Sequence, residues 1–192
     1  MLINYLRDNF GSLKGSLRYF FYRLAWFAGK FSTDRPTIDR SIKRLVFICH
    51  GNICRSAFAE YFAKSQGIES ISLGLSAGEG DPAFSRAITA AREFRIDLTP
   101  HRATRFDPSL LIPGDLVLAM EPAQLESIKD SSAKEIKFGL LGLYCEFPTP
   151  YLHDPYSCEQ AYFHICFQRI VDAVHAIAER RKANVTPQTN LG

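Results

Sequence analysis

The chain has 192 residues, 46% of them hydrophobic and 22% charged, which is the composition of one globular domain with length to spare. Collagen-like, disordered and disulfide-scaffold classes are excluded. The net charge of +3 divides unevenly, because residues 1–44 carry nine Lys or Arg against three Asp or Glu while the remainder has fourteen against seventeen. A basic arm on a mildly acidic domain, with no zinc-finger or RNA-binding signature, predicts no nucleic-acid partner.

In the arm, Leu2, Leu6, Phe10, Leu13, Leu17, Phe20, Leu24, Phe27 and Phe31 fall in one narrow arc at 100° per residue. Lys14, Arg18, Arg23 and Lys30 flank that arc, and Tyr19, Tyr22 and Trp26 lie on the far side. This mixture resembles helices that lie in a membrane interface, although a helix docked on protein shows the same period. The expectation is a cytoplasmic protein with peripheral contact at the inner membrane face through residues 1–31. Gly11 and Gly15 weaken the helix. Arg18, Arg23 and Lys30 interrupt the one candidate span, Leu17 to Phe31, and the same cations spoil a secretory signal. Ser32 to Ile42, with Pro36, reads as a linker, so the arm is expected to act independently of the domain beyond it.

Residues 45–182 alternate apolar strands with amphipathic helices, the pattern of an α/β fold with a parallel sheet covered on both faces. Strands are predicted at Leu45 to Cys49, Ser70 to Ser76, Asp115 to Ala119 and Ile136 to Leu140. Helices are predicted at Arg55 to Gln66, ending before Gly67, and at Pro82 to Phe94, with Asp81 as N-cap. A last helix over Ser157 to Arg181 carries the stripe Phe163, Phe167, Ile170, Val174 and Ile177. Residues 183–192 read as a flexible tail. Five cysteines, at 49, 54, 145, 158 and 166, show no zinc-type pairing, so no metal or cofactor is expected and a reducing compartment fits.

The segment Cys49-His-Gly-Asn-Ile-Cys-Arg-Ser56 follows a strand and opens a helix. Backbone N–H groups of such a loop, from His50 through Arg55, converge with the helix N-terminus into an anion cradle, to which Arg55 adds a planar fork. Cys49 lies at its base, where the positive field favours a nucleophilic sulfur. Gly51 and Asn52 suit a tight turn because they tolerate left-handed backbone, and the Ser56 hydroxyl can serve the sulfur. A leaving group displaced from the bound anion also needs a proton donor, and three Asp-Pro pairs compete: Asp81-Pro82, which looks like helix capping, Asp107-Pro108, which looks like a turn, and Asp154-Pro155.

These residues resemble the low-molecular-weight protein-tyrosine phosphatases, whose loop reads Cys-x-Gly-Asn-x-Cys-Arg-Ser. The likeness extends through Ser76-Ala-Gly78, Ile96-Asp-Leu98, His101-Arg102, Asp115 to Met120 and Asp154-Pro-Tyr156. It implies a three-layer sandwich with a four-stranded parallel sheet of flavodoxin-like connectivity, and hydrolysis of a phosphotyrosine protein through phosphocysteine. It implies Asp154 as the acid, Asn52, Ser76 and His101 as the network holding the loop, Tyr156 as the cleft wall, and Cys54 as a redox partner of Cys49. Relatives suggest an autophosphorylated bacterial tyrosine kinase of polysaccharide production as substrate. The short run Glu79-Gly-Asp81 departs from the family's longer loop and is expected to lead straight into a helix. Alternatives on the same residues are an arsenate reductase, disfavoured because no cysteine lies between Cys54 and Cys145, an arginine phosphatase, disfavoured by bulky Ile53, and a silent phosphopeptide-binding module.

Overall fold

A computed structural model describes residues 2–129 and 136–185. Four parallel strands, β1 (Arg44–Cys49), β2 (Ser70–Gly74), β3 (Asp115–Ala119) and β4 (Lys137–Leu140), form one sheet in the order β2-β1-β3-β4. Their apolar runs are buried because helices cover both faces. Successive connections leave β1 toward β2 on one side and toward β3 on the other, so the carboxyl end of β1 faces the switch point where such sheets bind ligands. Arg44 fixes the opposite end of the pair with a two-pronged grip on buried Asp115, at 2.8 and 2.7 Å.

The helices are α1 (Leu2–Phe10), α2 (Leu13–Phe27), α3 (Arg55–Ser65), α4 (Ser85–Glu93), α5 (Pro122–Ile128) and α6 (Gln160–Val185). The predicted stripe of α6 is buried, and Phe167 stacks on Phe58 of α3 with centroids 3.9 Å apart. Three elements differ from their expected bounds by two residues or more. Helix α4 starts at Ser85 and Asp81 caps nothing, since its amide and carbonyl are taken by Gly78 and Ala103 and Pro82 bridges to Arg102. Strand β2 stops at Gly74, leaving Ser76 in a turn. Helix α6 begins at Gln160 and runs to Val185, so residues 183–185 are helical where a tail was expected; the rest of that tail lies outside the described residues. Helix α5, with Pro122 in its first turn, was not among the expected elements.

The arm is not a separate unit. Gly11, at φ +79°, breaks it into α1 and α2. Tyr22, Ala25 and Trp26 pack against a cluster of Phe31, Ala119, Leu125, Leu140 and Leu143, so the face opposite the apolar arc is the one that docks. Phe31, assigned to the arc, is buried in that cluster. The supposed linker is a packed strap: Ile38 and Ile42 are buried, and the Asp34 carbonyl accepts the Leu140 amide at 2.9 Å along the β4 edge. Apolar residues in that stretch gain more from burial than a free linker would from chain entropy. What remains exposed is the arc itself, with Leu2, Leu13, Leu17, Phe20, Leu24 and Phe27 each 50% or more accessible. No helix among the described residues is long and apolar enough to cross a membrane.

Candidate active site

Strand β1 delivers Cys49 to the sheet's carboxyl end, and α3 begins six residues later at Arg55. The sulfur is almost fully buried, with the Asn52 amide 3.3 Å and the Ser56 hydroxyl 3.0 Å away. Both are placed to stabilise negative charge on sulfur. The turn depends on Asn52, which sits at φ +56° and is wholly buried. Its side-chain amide donates to Ser56 Oγ at 2.9 Å and Ser72 Oγ at 2.7 Å, while its Oδ1 accepts the Thr104 amide at 2.8 Å. Such a set of bonds offsets the cost of left-handed backbone.

The expected network is therefore corrected in two places. Ser76 is exposed and supports the loop only through its backbone amide, which donates to the His50 carbonyl at 2.8 Å. Ser72, two residues short of the end of β2, takes the side-chain role and passes it on to buried Glu60 at 2.6 Å. Gly51 does not adopt left-handed backbone; a Cβ there would meet only Ile53, at 3.6 Å. The glycine that the loop requires is Gly74, where a Cβ would lie 2.8 Å from that of Asn52. His101 takes its expected place: its Nε2 lies 2.6 Å from the Asn52 carbonyl, so the neutral ring donates there. Burial pushes its pKa below the ordinary histidine value, against the raising influence of that hydrogen bond.

Arg55 is buried at the rim of the cradle. One terminal nitrogen donates to Glu121 Oε1 at 2.5 Å and to the Leu152 carbonyl at 2.7 Å, and the other donates to Asp154 Oδ2 at 2.6 Å. Burial alone would lower its pKa, but the charges of Asp154 and Glu121 outweigh it and raise the value. Its buried Nε has no hydrogen-bond partner among the described residues, an orphan donor that an anion in the cradle would satisfy. Glu121 was missed in the sequence; its place two residues past the end of β3, at the carboxyl end of a central strand, is the signal that could have found it.

Of the three Asp-Pro pairs, only Asp154 reaches this region, and its side chain is 40% exposed. Asp107 caps a 3₁₀ turn by accepting the Ser109 amide. Cys49, His50, Gly51, Ile53, Cys54, Arg55, Asp154 and Tyr156 line one cleft of about 190 Å³. Tyr156 forms its aromatic side, backed by Phe84 at 4.7 Å, a neighbour not anticipated from the sequence. Burial raises the Cys54 thiol pKa well above its ordinary value, assisted by the charges of Cys49 and Asp154. Burial likewise pushes Cys145 and Cys166 up to about 12, consistent with packing residues.

Residues 44–187 match the family described as low molecular weight phosphotyrosine protein phosphatase. A probable low molecular weight protein-tyrosine-phosphatase EpsP of Ralstonia nicotianae is 32% identical over 144 residues, covering 74% of this chain and 98% of that one. Wzb of Escherichia coli K12, a low molecular weight protein-tyrosine-phosphatase, is 34% identical over 116 residues, or 56% and 77% of the two chains. Among solved structures, Vibrio vulnificus Wzb in complex with benzylphosphonate superposes with a TM-score of 0.64 at 26% identity, over 72% of this chain and 98% of that one.

Proposed function

The chain belongs to the low molecular weight phosphotyrosine protein phosphatases, and from that premise we propose how its own residues divide the hydrolysis of a tyrosine phosphate. The observation that carries the assignment is the convergence of Cys49, Arg55 and Asp154 on one small cleft. The phosphate seats among the loop amides of residues 50–55, and its oxygens take the free Nε of Arg55 and compete with Asp154 for the terminal nitrogen. Asp154, a carboxylate while it pairs with Arg55, is thereby released toward the leaving oxygen and takes up from solvent, at its exposed edge, the proton it will donate. Cys49 sulfur attacks phosphorus, the bond to the tyrosyl oxygen breaks, and Asp154 supplies the proton that oxygen needs. Asp154, now a carboxylate, takes a proton from water as that water attacks phosphorus, and the S–P bond breaks to return the sulfur to Ser56 and the Asn52 amide. The benzylphosphonate held by the Vibrio relative pairs a tetrahedral phosphonate with an aromatic ring, the combination this cleft and Tyr156 suit.

Under peroxide, the Cys49 sulfur becomes a sulfenic acid, and the Cys54 thiol condenses with it to a disulfide with loss of water. Mass spectrometry after mild oxidation would find that bond, and an irreversibly sulfinated Cys49 in its place would remove the protective role. The macromolecular substrate is a phosphotyrosine protein, and an autophosphorylated bacterial tyrosine kinase is the substrate we infer. Cys49→Ser should lose turnover yet retain that phosphoprotein in a pull-down; retention of full activity by Cys49→Ser would end the assignment.

The exposed arc of α1 and α2 we assign to an anionic membrane surface. It combines apolar area with the cations Arg7, Lys14 and Lys30, all exposed and each worth about 1 kcal/mol near such a surface. Full-length protein should sediment with phosphatidylserine-containing vesicles, less so at high salt. A protein that stays in the supernatant at every lipid composition would leave the arc to a protein partner.

A further inference from the structure

The arm touches the acid loop at Tyr151 and at His153, the immediate neighbour of Asp154. Where Gly11 breaks the helix, Ser12 caps α2 by accepting the Gly15 amide at 2.8 Å, and the same hydroxyl lies 3.4 Å from His153 Nε2. The imidazole rests on the two glycines. A Cβ on Gly11 would come within 2.5 Å of His153 Cδ2, and one on Gly15 within 2.9 Å. The other ring nitrogen, Nδ1, lies 2.7 Å from the Tyr151 hydroxyl, to which Arg18 of α2 donates at 3.4 Å. Tyr22, also of α2, stacks on the Tyr151 ring at 5.3 Å. A neutral imidazole has one donor and one acceptor, and two hydroxyls match that pair.

We propose that the α1–α2 corner is a positioning element for the general acid, acting through His153, with Ser12, Gly11 and Tyr151 holding the ring. Asp154 has to move between Arg55 and the leaving oxygen, so its backbone anchor decides whether it arrives. A misplacement of about 1 Å in a reacting group can cost on the order of 100-fold in rate. The rest of the acid loop is tied within the domain, by Leu152 N to the Met120 carbonyl at 2.9 Å and Tyr156 N to Asp154 Oδ1 at 3.1 Å. The segment between them is held from two sides: the His153 carbonyl accepts from the Tyr162 hydroxyl at 3.5 Å and the Asp154 carbonyl from Cys158 Sγ at 3.4 Å, both within the domain, while the His153 ring is held by the arm. Arm and domain are consequently coupled in catalysis, contrary to the independence expected from the sequence, and the proposal rests on Asp154 being the acid.

The test uses the full chain and reads kcat/KM, which reports phosphocysteine formation, on two substrates. Phenyl phosphate needs a protonated leaving group, and 2,4-dinitrophenyl phosphate does not. His153→Phe keeps the ring volume and loses both hydrogen bonds, Gly11→Val drives a side chain into the ring, and Tyr151→Phe removes a single hydroxyl. The expected result is a loss of about tenfold or more on phenyl phosphate and less than about threefold on 2,4-dinitrophenyl phosphate. Equal losses on both substrates, or none on phenyl phosphate, would overturn the proposal. If circular dichroism shows His153→Phe or Gly11→Val to be misfolded, the same split in Tyr151→Phe decides. Failure of the wild-type protein to turn over even the dinitrophenyl ester would count against the phosphatase assignment rather than against the positioning role.

Discussion

Two loops meet over the cleft, and they are built in opposite ways. The nucleophile loop, residues 49–56, is pinned at its turn: Asn52, Arg55 and Ser56 are buried, and the Asn52 side chain and carbonyl have fixed partners in Ser56, Ser72 of β2, Thr104 and His101. The acid loop, residues 151–156, leaves Asp154 and Tyr156 half exposed and takes its anchors from scattered places: Arg55, Met120, Tyr162 and an arm more than a hundred residues earlier. A cradle that must present several amides to one anion gains from rigidity. A proton donor that must leave an ion pair to reach the substrate gains from being held at its ends and free at its tip.

The largest effect that sharpens this contrast is on the acid. Asp154→Ala should lower turnover of a phosphotyrosine peptide by about 10²–10⁴-fold while hardly altering thermal stability, because its carboxylate is partly solvated. Asp107→Ala should leave turnover unchanged, since Asp107 only caps a turn. A reversed pattern would move the acid to the other loop. On the nucleophile side the same kind of truncation should act on stability as well. Asn52→Ala removes two donated bonds and one accepted bond in a buried site and leaves alanine at φ +56°, which should lower the thermal midpoint by roughly 3–10 °C. A midpoint within 1–2 °C of wild type, on the order of the scatter for surface substitutions, would mean that the network is not what holds the turn.

The smallest effect is a pH dependence. Burial holds the pKa values of His101 and His153 below the ordinary 6.5, so the unfolded chain takes up these protons first as pH falls. Both rings are neutral in both states well above that value and contribute nothing there. Stability should therefore decline as pH drops below about 6.5 and level off beneath the folded pKa values. His101→Gln should flatten part of that decline in urea titrations between pH 7 and 5. An identical slope in the variant would contradict the burial argument.

The same contrast explains what could be read from the sequence. Cys49 to Ser56 is contiguous, and its chemistry is set by residue types at fixed spacing, so the cradle and the strand and helix around it were legible. Ser72 was not, because Ser70 and Ser76 are equally plausible until the end of β2 at Gly74 fixes the register. Asp81-Pro82 carries a strong capping signal, but pairing of Asp81 with Gly78 and Ala103 overrides it. The arm's apolar arc suggested a membrane interface and is exposed, but helical period alone did not announce that Tyr22 and Trp26 on the far side dock on the domain. Glu121 and His153 act through contacts 66 and 141 residues distant in the chain, which no local pattern announces.

The central claim is that Cys49 carries the phosphoryl group, and rapid quenching of the full-length protein with an aryl phosphate tests it most directly. Acid quench within the first turnover, followed by peptide mass spectrometry, should find phosphate on the Cys49 sulfur, with more accumulating in Asp154→Ala as its water-activating carboxylate is lost. Turnover at the wild-type rate with no phosphate on Cys49 at any quench time, or with phosphate on another residue, would contradict the account.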